Sequence, residues 1–153
     1  MKKIKTHRPV IVGDVYAVPL GTANHGYGYV RTYSGEDIAI LKITSGKRLL
    51  AVENLVGIES EADVFALRTN IEKGRWPLIG NIPFPSETES WAPPRKQVST
   101  IRPDVKMVAH RGNLVRADKF GAYDDLPTLY RFSDENLVEF INSRKEHFKH
   151  EDS

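Results

Sequence analysis

The sequence predicts a mainly β, α+β fold: a strongly bent antiparallel sheet or partial barrel with a C-terminal helix. Three observations carry this. Short stretches with period-two alternation follow one another early in the chain, punctuated by Gly, Pro, Asn and Asp. Glycines line one face of the second stretch, where they let a sheet bend sharply or another backbone come close. Only the segment after Ser133 joins an N-cap, first-turn acids and an apolar stripe at helical spacing.

Taken in order, Asp14 to Leu20 is the first strand, and Pro19 ends it or places it at an edge. The turn-rich Gly21-Thr22-Ala23-Asn24 leads into a second strand from His25 to Tyr33. There Tyr27, Tyr29, Arg31 and Tyr33 point one way and Gly26, Gly28 and Val30 the other. Ser34-Gly35-Glu36-Asp37 is a turn, and Ile38 to Thr44 is a third strand, apolar on both faces and therefore central. Lys47 to Val56 reads either as a short helix stopped near Gly57 or as a loop and strand. Asp63 to Asn70 returns to strand character, Glu72-Lys73-Gly74 is a tight turn, and Trp76 to Ile82 is a further strand.

Phe84 to Pro94 is a long loop rich in proline, serine and glutamate. Lys106 to His110 and Leu114 to Asp118 form a hairpin around Arg111-Gly112-Asn113. Its faces are expected to carry Met107, Ala109, Val115 and Ala117 on one side, and Lys106, His110 and Arg116 on the other. After the Ser133 cap, Asp134 and Glu135 suit the helix dipole, and Leu137, Val138 and Ile141 give the apolar stripe. The helix is expected to end near His147, with a frayed, mixed-charge tail beyond. The 153 residues suit a single domain, its β part about residues 13 to 132 and its helix about 134 to 147.

Apolar and charged fractions of 40% and 27% are those of an ordinary soluble globular protein. Cysteine is absent, which excludes a disulfide framework, Cys-ligated zinc and a thiol nucleophile. The basic N-terminus lacks the apolar stretch and cleavage site of a signal peptide, and no segment approaches the roughly 18 apolar residues that span a bilayer. A cytoplasmic protein without membrane contact is expected. The net charge of +2 hides an asymmetry. Between Leu49 and Leu67 stand Glu53, Glu59, Glu61 and Asp63 with no Lys or Arg, whereas Arg95 to Lys119 carries seven basic residues against Asp104 and Asp118. These runs form either two faces of opposite sign or solvated loops that balance in space.

No catalytic constellation assembles. His147 and His150 are three apart and could share a helix face, but no third ligand stands at a diagnostic spacing. His110 and His25 are weak candidates for a base, each more readily an ordinary strand residue. No serine lies in a nucleophile elbow, Gly26-Tyr27-Gly28 is too short for a dinucleotide fingerprint, and Asp124-Asp125 is a better turn than calcium site. No catalytic residue, metal or cofactor is expected. Tyr27, Tyr29 and Tyr33, with the basic hairpin, leave a nucleic-acid-binding alternative in which the tyrosines stack on bases; otherwise they are core.

Gly74-Arg75-Trp76-Pro77-Leu78-Ile79-Gly80-Asn81-Ile82-Pro83 places a tryptophan, two prolines and two glycines in ten residues with no reactive group among them, which marks architecture or recognition. Gly13-Asp14-Val15-Tyr16-Ala17-Val18-Pro19-Leu20, then Tyr27-Gly28-Tyr29-Val30, then this Trp76 to Pro83 segment, resembles the ordered motifs of the bacterial immunity protein 26 family. The resemblance spans roughly residues 13 to 83. It implies a non-enzymatic cytoplasmic inhibitor that binds a cognate protein toxin in interbacterial competition. It marks Asp14, Tyr16, Pro19, Tyr27, Gly28, Trp76, Gly80 and Pro83 as fold signature, since immunity proteins diversify at the toxin contact. If the toxin is a basic nuclease, complementary charge favours Glu53, Glu59, Glu61 and Asp63 as the contact, with Glu87 and Glu89 next. If it is acidic, the Arg95 to Lys119 face takes that role.

Overall fold

The computed structural model describes residues 9–21, 26–66, 68–97, 104–117 and 123–151. Strands β1 (Asp14–Pro19), β2 (Tyr27–Thr32) and β3 (Asp37–Ser45) form an antiparallel meander that β4 (Ser60–Ala66) extends. A single helical turn, α1 (Thr69–Glu72), leads to β5 (Leu78–Asn81), which returns to the outer edge of β1. Strands β6 (Arg95–Gln97), β7 (Met107–His110) and β8 (Asn113–Arg116) make a separate antiparallel sheet. Then β9 (Arg131–Phe132) runs parallel to the end of β4, α2 (Asp134–Ser143) follows, and β10 (Lys149–Glu151) runs parallel to the end of β3. The main sheet has the order β5-β1-β2-β3-β4-β9 and does not close on itself. Register shifts at Val15/Tyr16, Gly28/Val30 and Ile40/Leu41 bend it.

Alternation in β1 to β4 divides the core between the two faces of the sheet. One face gathers Tyr16, Val18, Val30, Ile38, Ile40 and Val64 under Trp76, Ile71, Phe148 and the Leu137 and Ile141 side chains of α2. The other gathers Val15, Ala17, Tyr29, Ala39, Leu41 and Ile43 under Leu50, Leu55 and Ile58, with Ile79 and Ile82 beside them. Helix α2 is held at its start by a capping box: Ser133 Oγ accepts from the Asn136 amide at 3.1 Å, and Asn136 Oδ1 accepts from the Ser133 amide at 3.2 Å. It then presses on Gly28, where a Cβ would stand 2.9 Å from Ile141 Cδ1.

Arg95 joins the two sheets. Its side chain is 3% exposed, and its guanidinium donates to both Asp37 carboxylate oxygens, at 2.9 and 3.3 Å. It also donates to the Asp63 and Pro93 carbonyls. Trp91 adds a clip, its ring lying against Gly35 of the β2–β3 turn and Gly112 of the β7–β8 turn.

Several expectations need correction. The strand expected over Asp63 to Asn70 lies at Ser60–Ala66, and Thr69 and Asn70 belong to α1; β3 imposes that register through the Ile38–Val64 and Ala39–Asp63 pairs. The Trp76 to Ile82 strand shrinks to Leu78–Asn81, because Trp76 leaves the ladder to fill the core. Lys47 to Val56 is neither α-helix nor strand but a loop with a 3₁₀ turn at Val52–Leu55. In the hairpin the turn is two residues long, Arg111 and Gly112 both at positive φ. It pairs Met107 with Arg116 and Val108 with Val115, so the face expected to hold Met107 and Val115 together does not exist. A one-residue difference in loop length inverts which side chains share a face. Helix α2 stops at Ser143, a 3₁₀ turn covers Lys145–His147, and the expected frayed tail contains β10.

Gly28→Ala should lower stability by about 1–3 kcal/mol through overpacking. Adding Ile141→Val, which removes the offending Cδ1, should restore part of that loss; urea denaturation of the two single variants and the double variant measures the coupling. Arg95→Ala leaves Asp37 without its buried partner and should cost about 3–5 kcal/mol. A thermal melt unchanged from that of the native chain would show that the pair does not hold the sheets together.

Candidate functional site

The residues marked as signature come together as a frame. The Asp14 side chain is fully buried at the start of β1, and its carboxylate accepts from the Ile11 amide at 2.9 Å and the Asn81 side-chain amide at 3.0 Å. Arg31 donates to the Ile82 and Pro83 carbonyls and stacks on Phe84 at 3.6 Å, which ties the last motif to β2. Tyr16 and Trp76 pack in the first core face, and Gly28 admits α2. Gly80 admits the 3₁₀ turn, since a Cβ there would stand 2.8 Å from Val52 Cβ. Pro19 caps the exposed end of β1, and Tyr27 packs beside the second core face.

The tyrosine face is core, not a stacking platform. Tyr29 is fully buried, its hydroxyl 2.7 Å from Ser45 Oγ and accepting from the Leu50 amide at 2.9 Å. Tyr33 stacks on Phe84 with ring centroids 5.3 Å apart and donates to Asp63 Oδ1 at 2.7 Å. Burial first, and the Asp63 charge second, push its phenol pKa far up, so it stays a neutral donor. The expected basic face also loses a member, because Arg95 is interior. Lys106, Arg111 and Arg116 remain exposed, but Arg116 pairs with Met107 and so lies on the face away from His110, not beside it as expected. Arg102, Lys119 and His25 lie outside the described residues.

The six acidic candidates divide into three settings. Glu53 and Glu59 are exposed, and the Glu59 carboxylate lies 3.9 Å from the Lys42 ammonium. Glu87 accepts from the Trp91 indole at 2.8 Å and, like Glu89, stands on the exposed loop. Glu61 and Asp63 instead line a groove of about 420 Å³ with Arg95, Tyr130, Phe140 and Arg144. Glu61 is only 9% exposed and is held by His147 Nδ1 at 2.9 Å and Arg144 Nη1 at 3.5 Å. His147 and His150 therefore do not share a helix face; His150 sits in β10 with its Nδ1 2.9 Å from Thr44 Oγ1.

Tyr130, Phe140 and Arg144 were not singled out from the sequence. The available signal was the Phe140–Arg144 spacing of four on a helix, which places Arg144 over the Phe140 ring at 4.2 Å. A second groove, of about 640 Å³, lies over Trp76 beside α2. Three of its polar groups are joined to one another, Arg75 to Asn70 and Asn70 to Asp134.

Among the described residues no group of three His, Asp or Glu side chains is placed to hold a metal, and no helix is long and apolar enough to cross a membrane. No curated protein and no solved structure matches the chain. The family model described as Immunity protein 26 matches residues 11–103, which takes in all three motif segments. The chain belongs to the immunity protein 26 family.

Proposed function

We propose that this chain neutralises its cognate toxin by binding and occluding it, with no cofactor and no turnover, in the cytoplasm of a bacterium engaged in interbacterial competition. Family membership carries the reading: an immunity protein is directed against a toxin. The placement of the signature residues supports it. They are taken up in holding the sheet, which leaves the surface outside the frame free to differ from one toxin specificity to another. The toxin is a nuclease with a cationic face, and the exposed carboxylates Glu53, Glu59, Glu87 and Glu89 steer it into contact.

The reading is tested on Glu53 and Glu59, because Glu61 and Asp63 also hold Arg144, His147 and Tyr33 and their reversal would confound folding with binding. The double variant Glu53→Lys, Glu59→Lys should fold normally and associate with the toxin encoded beside the gene at least ten-fold more slowly at low salt. The difference should shrink at high salt, where exposed charges are screened. Stopped-flow association kinetics at two ionic strengths measure this. Unchanged rates at low salt remove the acidic contact, and failure of the native chain to rescue cells from that toxin removes the proposal as a whole.

A further inference from the structure

The groove beside Glu61 and Asp63 runs along an uncovered strand edge. Strand β4 pairs with β3 from Ser60 to Phe65 on one side, interrupted by a bulge. On its other side β9 pairs with Phe65 and Ala66 alone, so among the described residues no strand covers the outer edge of residues 60–64. The Phe65 amide points outward, to the Tyr130 carbonyl at 2.9 Å, and the Asp63 carbonyl points outward too, to Arg95 Nη1 at 3.3 Å. Alternation then turns the Asp63 amide to the same side. Glu61 is the extra residue of the bulge opposite Ile40 and Leu41. The groove walls come from both faces of the sheet, as a slot along an edge requires. Phe140 and Arg144 flank it on the α2 side, Pro93 and Arg95 on the other, and Tyr130, 42% exposed, closes the end where β9 begins.

We infer that this slot takes an extended segment of the toxin as an added strand beside β4, continuing the sheet where β9 stops. This rests on the proposed function and names the surface at which it acts. An exposed strand edge supplies main-chain hydrogen bonds to any extended chain, and flanking pockets select its alternate side chains. The charge selects a cationic segment. Of the two carboxylates that line the slot, Glu61 is held by Arg144 and His147, whereas Asp63 meets the Tyr33 hydroxyl and, among the described residues, no cation within 4.0 Å; Arg95 is already paired with Asp37. A lysine or arginine of the incoming strand placed beside Asp63 makes up that deficit. The next side chain along the strand falls against Tyr130 and Phe140, whose rings accept either an apolar or a guanidinium group.

The test uses the full chain and the catalytic domain of the toxin encoded beside its gene. Hydrogen exchange of the complex should slow at the Asp63 amide by at least ten-fold relative to the free chain. Tyr130→Ala, which keeps the backbone bond to Phe65, should weaken the complex at least ten-fold, chiefly by faster dissociation, while its melt shows that it is folded. A variant that does not fold leaves the exchange measurement on the native chain to decide. A complex that forms with exchange at this amide unchanged overturns the strand-docking slot and leaves the immunity reading standing. A native chain that does not bind the toxin overturns both.

Discussion

Strand β3 has no face toward solvent. Seven of its nine residues are buried, and the apolar ones divide between both sides of the sheet. A strand in that position needs a covering layer above and below and a partner on each edge, because an unpaired buried backbone group is costly. The rest of the chain supplies these in turn. Strand β2 takes one edge for almost the whole length, and β4 takes the other from Asp37 to Leu41. Where β4 diverges at its bulge, β10 arrives from the far end of the sequence and pairs with Ile43, Thr44 and Ser45. Helix α2 covers one face and the 46–58 segment covers the other.

That requirement explains where the sequence signature sits. Asp14 is buried, which is tolerable because backbone and side-chain amides satisfy its oxygens. One of those amides belongs to Asn81, so the first and last motifs hold each other across the β1–β5 pair. Gly28 and Gly80 face inward at two points where a covering layer comes closest, α2 at one and the Val52 turn at the other. The tryptophan that dominated the sequence contributes packing, and the segment around it is an edge strand. The chemistry missing from these motifs is missing because they build the frame.

Much of this was legible in the sequence, and the exceptions share a cause. β1, β2 and β3 were readable because alternation and turn residues agree locally, and the Ser133 cap marked α2 because its capping partners lie within one turn. Strands β6, β9 and β10 have two or three residues each and carry charges such as Lys149 and Glu151; they are strands only because a neighbour offers a ladder. Bulges and turn lengths, which decide the faces of β4 and of the β7–β8 hairpin, have no single-residue signature. The acidic run illustrates the same limit for the site. Glu59 and Glu61 are two residues apart, yet one is in water and the other is clasped by His147 and Arg144.

The slot beside β4 is assembled from both sides of that divide. Its floor, Ser60 to Asp63, and its Pro93–Arg95 wall lie within the family match at residues 11–103. Tyr130, Phe140 and Arg144 come from beyond it. Main-chain pairing at a strand edge depends little on which residues supply it, so a floor fixed by the fold can give affinity to any extended segment. Discrimination must come from the side chains that flank it. The proposed strand docking uses that separation: the contact can change while β4 stays locked against β3. With the flanking wall on α2 and the chain leading into β9, and the floor on β4, specificity can alter without disturbing the core on which β3 depends.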